Sequence, residues 1–230
     1  MLNLLVKQRL GLQILFSNSL FAFVLASLSG YVLGSISFSI VFTKIFSNNQ
    51  DIRAFGSKNA GFTNVFRCFG KAPAALTFVF DALKGIISCL LGEVFFCSFL
   101  DKKYCVLGSL AAGFFCVLGH IFPCFFKFKG GKGVLTSAAV VAFIDWHIFI
   151  GVVFVFLLTL FISKIVSLSS IFSALSLPLF MFLCLPKQQD QNINYIELFT
   201  ITLISVLVLF KHKDNIKRIF RGQEKKIFER

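Results

Sequence analysis

Acidic residues are scarce in this chain: Asp and Glu number 10 against 23 Lys and Arg, and they are scattered. A Mg²⁺ or Ca²⁺ cage needs several oxygen ligands close together, so no metal site is expected and a metal-dependent phosphotransferase is disfavoured. The cysteines, at 68, 89, 97, 105, 116, 124 and 184, show no C-x-x-C spacing and no Cys–His cluster, which removes the usual zinc patterns. Most sit inside apolar runs, where cysteine behaves as a small hydrophobe, and no disulfide framework is expected. Short alternating segments of about ten residues are missing too, which excludes a membrane β-barrel. There is no internal repeat and no low-complexity linker.

What the chain has in quantity is grease. It is 57% hydrophobic, with 33 Phe, whereas soluble domains hold about 45–50% apolar residues. Such a composition predicts an all-α polytopic membrane protein. The apolar runs predict seven transmembrane helices, over residues 21–43, 73–97, 104–122, 133–145, 147–163, 167–185 and 194–210. The rival is six spans, with 133–163 merged into one. Charge arbitrates: with seven spans, 17 of the 23 Lys and Arg fall on one side and 5 on the other, Lys84 lying within a span. The excess puts the C-terminus in the cytoplasm and the N-terminus outside. Residues 1–19 carry Lys7 and Arg9 ahead of an apolar run, but no small-residue cleavage site follows. They are read as an N-terminal extension, and 20–230 as a single seven-span domain. The net charge of +13 would suit nucleic acid. The basic residues cluster in loops beside apolar spans, however, so no nucleic-acid partner is expected and membrane lipids are.

The polar residues are concentrated on the same side. The loop DIRAFGSKNAGFTNVFRCFGK (51–71) combines three Gly with Ser57, Asn59, Thr63, Asn64 and Arg67. Glycine lets backbone approach a ligand, the small side chains add neutral donors, and Arg offers a planar fork matched to phosphate. The stretch FKFKGGKG (126–133) precedes a predicted helix. It is not a P-loop, because Phe126 and Gly133 stand where Gly and Ser or Thr belong. Free amides at a helix start beside Lys129 and Lys132 still make an anion site. Ser167, Ser169 and Ser170 open the sixth span, where they cap the helix or donate to an anion. His212 and Asn215 are i, i+3 neighbours at the end of the seventh span, and Glu224 follows in the tail. Asp81 and Lys84 share one face of the second span. Either they satisfy each other, or Lys84 meets a phosphate with Asp81 orienting it. His120 has two readings as well, a satisfied interface histidine or a catalyst.

These motifs, in order, resemble those of the bacterial integral-membrane acyltransferases that move a fatty acyl group from acyl phosphate to glycerol 3-phosphate. The stretches YVLGSISFSIV, DIRAFGSKNAGFTNVFR, FVFDALKG, GHIFPCFFKFKGGKGV, IVSLSSI and HKDNIKRIFRGQE carry the likeness, from about residue 31 to 224. Lys58 replaces a glycine usual in the second stretch, Ser37 replaces a proline, and the N-terminus is about twenty residues longer than the family pattern. The resemblance implies a cytoplasmic active site in the inner membrane, no cofactor, and a monomer acting on glycerol 3-phosphate and acyl phosphate. It extends to partnership with the enzyme that makes acyl phosphate. Carried over residue by residue, it gives Ser57, Arg67, Lys132, His212 and Asn215 catalytic roles. Substrate-binding roles fall to Asn59, Gly61, Thr63, Asn64, Gly130, Gly131, Ser167, Ser169 and Ser170, with Lys84 and Glu224 in support.

The H-x-x-x-x-D motif of acyltransferases with soluble donors is absent, since Phe125, Val152 and Lys217 stand five residues after the three histidines. Direct transfer without an acyl-enzyme is expected, the protein holding two phosphates and a hydroxyl in attack geometry. An organic-phosphate transporter is the alternative, and a non-catalytic lipid-binding scaffold a third reading. Transporters place polar groups near mid-membrane between symmetric halves. Here they gather at one rim.

Overall fold

The computed structural model describes residues 2–184 and 190–227, with side chains from residue 17. Among the described residues it is all-helical, with no strand. The α-helices are α1 (Leu2–Gly34), α2 (Phe38–Phe46), α3 (Phe62–Phe69), α4 (Lys71–Phe99), α5 (Cys105–Ile121), α6 (Val134–Ile144), α7 (Trp146–Ser163), α8 (Val166–Cys184), α9 (Gln191–Lys211) and α10 (Lys213–Phe220). Helices are the natural form for apolar runs in lipid, since each helix satisfies its own backbone polar groups. Six stretches among the described residues are long and apolar enough to cross a membrane. The end of the expected 167–185 span, position 185, lies outside the described residues.

The expected 21–43 span is not one helix. α1 stops at Gly34 and α2 restarts at Phe38, leaving a short non-helical break. The expected loop 44–71 also contains a helix, the amphipathic α3, which buries Asn64 and Val65.

α6 has 11 residues, about 16 Å at 1.5 Å per residue, against a bilayer core of about 30 Å. It does not merge with α7. Asp145 breaks the chain between them and caps α7, its Oδ1 accepting the His147 and Ile148 amides at 2.8 and 3.2 Å. Lys132, just before α6, and Ser167, just after α7, are linked through Asn215 and Glu224 by three hydrogen bonds. The chain therefore leaves one end of the bundle along α6 and returns to it along α7.

α1, α4 and α5 pack together at one side of the bundle, α6 lodges against α4, α5 and α9, and α7 pairs with α8. Small residues set the closest approaches. A Cβ at Gly92 would overlap the Gly108 carbonyl, and one at Gly108 would overlap that of Gly92. Between helices in lipid, such close backbone packing supplies much of the association. Val117, Val140, Leu177, Ile201 and Ile204 close a core between the inner faces. Phe154, Phe161 and Ile162 on α7 point outward, 63–83% exposed. That surface would be costly in water and is ordinary against lipid.

The sequence reading expects no disulfides, but Cys97 and Cys105 are bonded, with Cα atoms 5.1 Å apart. The bond staples the end of α4 to the start of α5, at the end of those helices away from Lys71 and His120. The apolar setting hid the pair: spacing in sequence does not show that a tight turn will bring two helix ends together.

Candidate active site

The loop before α3 is folded around one side chain. Asn64 is 3% exposed. Its Oδ1 accepts the Ser57 amide at 3.0 Å, and its Nδ2 donates to the carbonyls of Phe55 (3.0 Å) and Asn59 (3.1 Å). An amide with its donors and acceptor so engaged organises the loop rather than meeting a ligand. The hydroxyls of Ser57 and Thr63 take part in no side-chain hydrogen bond among the described residues, and both side chains reach solvent. Lys58 adopts φ +58°, the left-handed conformation that the glycine usual at this position would take without strain.

Arg53, which the sequence marks only as loop charge, latches this loop to the next. Its Nη2 pairs with Asp51 Oδ2 at 2.7 Å, and its Nη1 donates to the Phe126 carbonyl at 2.8 Å and the Lys129 carbonyl at 3.3 Å. Partial burial pushes the Asp51 carboxyl up, but the hydrogen bonds from Arg53 outweigh that and hold it below the usual range. The D-x-R spacing is visible in the sequence; its target, a backbone carbonyl 73 residues on, is not.

Gly130 and Gly131 seat the second loop on the end of α5. Their amides donate to the carbonyls of Ile121 (3.3 Å) and His120 (3.1 Å). A Cβ at Gly131 would overlap His120 Nε2 and lie 2.6 Å from the Ala60 carbonyl, so only glycine lets the two loops and α5 meet here. Gly133, at φ +82°, then starts α6 with no side-chain cap.

Lys132 is thereby aimed at the tail. Its Nζ donates to Asn215 Oδ1 at 2.6 Å, and Asn215 Nδ2 donates to Glu224 Oε1 at 2.6 Å. Ser167 Oγ donates to the same Oε1 at 2.7 Å, and Arg218 Nε donates to Oε2 at 2.7 Å. Burial, reinforced by Arg218 and Arg67, pulls the Lys132 ammonium down to about 8 against the opposing pull of Glu224. Burial pushes the Glu224 carboxyl up, but hydrogen bonds from Ser167, Asn215 and Arg218 hold it below the usual range. His212 is 1% exposed. Its Nδ1 lies 2.8 Å from the Val208 carbonyl, which can only accept, so Nδ1 carries the proton and Nε2 a lone pair. Burial and nearby Lys132 push the imidazole down to about 4, so it is neutral at pH 7.

Arg67 joins from α3. Its Nη2 donates to the Lys226 carbonyl at 3.0 Å, while the Ile227 amide donates to the Lys164 carbonyl at 2.8 Å. The tail thus runs across the site from α3 to the start of α8. Arg67 Nε is buried with no hydrogen-bond partner among the described residues, a donor that an anion would satisfy.

Arg67, Lys132, Ser167, His212, Asn215 and Glu224 are thus brought together. Ser169 and Ser170 donate back four residues, to the carbonyls of Ile165, just before α8, and Val166, at 3.0 and 2.9 Å. Lys84 is not directed at a phosphate. Its Nζ contacts Asp81 Oδ1 at 2.7 Å and donates to the carbonyls of Ile36 (2.9 Å) and Gly34 (3.2 Å), which engages all three of its protons.

Residues 24–222 match the family model described as glycerol-3-phosphate acyltransferase. The chain is 40% identical over 198 residues to a glycerol-3-phosphate acyltransferase of Prochlorococcus marinus, covering 86% of this chain and 93% of that protein. It is 37% identical to the Finegoldia magna protein of the same name, over 86% of this chain and 92% of the relative. The crystal structure of PlsY, an integral membrane glycerol 3-phosphate acyltransferase, in its glycerol 3-phosphate form superposes with a TM-score of 0.76 at 34% identity. That superposition covers 89% of this chain and 94% of PlsY. The lysophosphatidic acid form of the same protein gives 0.72, over 90% and 94%. With that likeness and six apolar stretches of spanning length among the described residues, this multi-pass membrane protein belongs to the glycerol-3-phosphate acyltransferase family.

Proposed function

We propose that this chain transfers a fatty acyl group from acyl phosphate to the hydroxyl at position 1 of glycerol 3-phosphate, releasing lysophosphatidic acid and inorganic phosphate. Relatives bearing the glycerol-3-phosphate acyltransferase name, and a neighbour crystallised in glycerol 3-phosphate and lysophosphatidic acid forms, support the acceptor and product. The observation that carries the reading is the buried, unmet Arg67 Nε beside the cationic Lys132 at one rim of an apolar bundle. In this reading the rim faces the cytoplasm, the N-terminus lies outside, and α6 makes a short fourth pass of seven in the inner membrane, with α7 to α9 making the last three.

The donor is a mixed anhydride with a good leaving group, so the protein's task is positioning and charge neutralisation. Arg67 and Lys132 hold phosphate oxygens, and Ser57, Asn59 and Thr63 orient them. His212 Nε2 accepts the acceptor hydroxyl in a hydrogen bond and orients its oxygen toward the carbonyl carbon. An imidazole held near 4 is a weak base, whereas a substrate phosphate, with a second pKa of about 6, is the better proton acceptor at neutral pH. The hydroxyl oxygen forms the ester, the C–O bond to phosphate breaks, and the proton leaves on phosphate. Hydrocarbon lies along the Phe-rich outer faces.

The test is purified protein with acyl phosphate and glycerol 3-phosphate, and acyl-CoA in parallel. We expect one phosphate released per lysophosphatidate with acyl phosphate, and none with acyl-CoA. Turnover with acyl-CoA would contradict the donor, and a trapped labelled acyl-enzyme would contradict direct transfer.

A further inference from the structure

The cluster that the proposed chemistry leaves unused is Asp81, Lys84 and His120. These side chains are 2%, 3% and 6% exposed, in the interior between α4 and α5. Ions this deep are costly to keep, and an apolar trio of the same volume would serve stability as well or better. Their partners explain them. Lys84 donates to the carbonyls of Gly34 and Ile36, which lie at the break between α1 and α2. Carbonyls at a helix end inside a membrane have no water to turn to, so an ammonium there satisfies them. Asp81 Oδ1 lies 2.7 Å from that ammonium and 3.6 Å from His120 Nδ1. Among the described residues, that oxygen and that nitrogen meet only partners within the trio.

Two further contacts run from the trio to the substrate loop, one on each side of Lys132. Before it, the His120 carbonyl accepts the Gly131 amide at 3.1 Å, and His120 Nε2 fills the space where a Gly131 side chain would stand. After it, Thr136 Oγ1, in the first turn of α6, donates to the Asp81 carbonyl at 3.2 Å. A lysine bracketed in this way cannot shift along the chain without breaking one of the two.

We infer that Asp81, Lys84 and His120 form a positioning trio: they clamp the broken end of α1 to α4 and α5, and through Gly131 and Thr136 they fix where Lys132 meets the acceptor's phosphate. The trio touches no substrate. The inference rests on the acyl-transfer reading for its kinetic consequence but not for its structural one.

The experiment compares full-length wild type, Asp81→Asn/Lys84→Met and Thr136→Val in detergent. The double variant removes both buried charges together, so no lone ion is stranded. Hydrogen exchange is read on the segment 128–136, and steady-state kinetics with acyl phosphate and glycerol 3-phosphate. We expect faster exchange in that segment and a KM for glycerol 3-phosphate raised about tenfold in the double variant, with kcat and the donor KM within about threefold. Thr136→Val, which strands no charge, moves the same two readouts in the same direction by a smaller factor. Unchanged exchange in folded double variant overturns the inference, and so does faster exchange with an unchanged KM. Should the double variant not fold, Thr136→Val decides by the same two criteria. A wild type that turns over no glycerol 3-phosphate contradicts the proposed function instead, and exchange alone then judges the trio.

Discussion

Two polar clusters lie at different depths in this bundle, and they are built on opposite plans. The Asp81–Lys84–His120 cluster is closed: the lysine's protons are committed to a carboxylate and two backbone carbonyls, and water is excluded. The Lys132–Asn215–Glu224 cluster is open. Lys132 and Arg67 are only partly covered, Arg67 Nε is unmet, and Ser57 and Thr63 reach solvent from the neighbouring loop. Similar residue types are therefore arranged for different tasks. Where every donor is committed the cluster is suited to fixing geometry; where donors remain uncommitted beside concentrated positive charge, it is suited to an anion, as proposed above.

The sharpest way to break the comparison is to remove charge from the open cluster. Arg67→Ala and Lys132→Ala should each lower kcat/KM for glycerol 3-phosphate by about 10²–10³, as loss of a preorganised donor to developing charge does. Melting temperature should be little changed for Arg67→Ala, whose hydrogen bonds to the tail are exposed, and should fall modestly for Lys132→Ala, which leaves the buried Asn215 Oδ1 unmet. A loss of folded protein, with normal kinetics in what survives, would put these two residues in the closed class.

The pH profile is the next largest effect. With Lys132 held at about 8, its ammonium is present below that value and is lost as pH rises through it. The kcat/KM for glycerol 3-phosphate should therefore fall about tenfold per pH unit above pH 8. Lys132→Arg should remove that alkaline limb, since Arg stays charged throughout. His212, at about 4, is neutral across pH 5–8 and should add no limb there.

The opposite end of the bundle gives the contrasting control. Reducing Cys97–Cys105, which closes a sequence separation of 8, should cost about 2–3 kcal/mol of stability by loop entropy. Thermal unfolding would show the loss, while kcat and both KM values stay put. The smallest effect is at Lys58. Replacing it with Gly relieves a left-handed φ of +58° and loosens the unfolded chain, for a net gain of at most about 1 kcal/mol in denaturation experiments.

These differences also mark what was legible in the sequence. The apolar runs gave six helix positions to within a few residues, because length and composition suffice for a helix in lipid. The break after Gly34 was hidden: Gly-Ser-Ile-Ser looks like any small stretch of a span, and the lysine that satisfies its carbonyls lies about 50 residues away. Lys132, His212, Asn215 and Glu224 were legible as motif positions, and their hydrogen bonds join segments 83 residues apart. The role of Lys84 was not legible, since ion pair and phosphate ligand share one sequence pattern. Nor was that of Asn64, which looks like a donor for substrate until its partners prove to be the loop's own backbone.

The proposal that three separate stretches converge on one anion is tested most directly by site-directed labelling. Ser57→Cys, Lys129→Cys and Lys225→Cys, each in a background lacking the free cysteines, would be exposed to a membrane-impermeant maleimide in sealed inside-out vesicles. We expect all three to react from the cytoplasmic face and all three to be slowed by glycerol 3-phosphate. Labelling from opposite faces, or protection at one position only, would contradict a shared pocket.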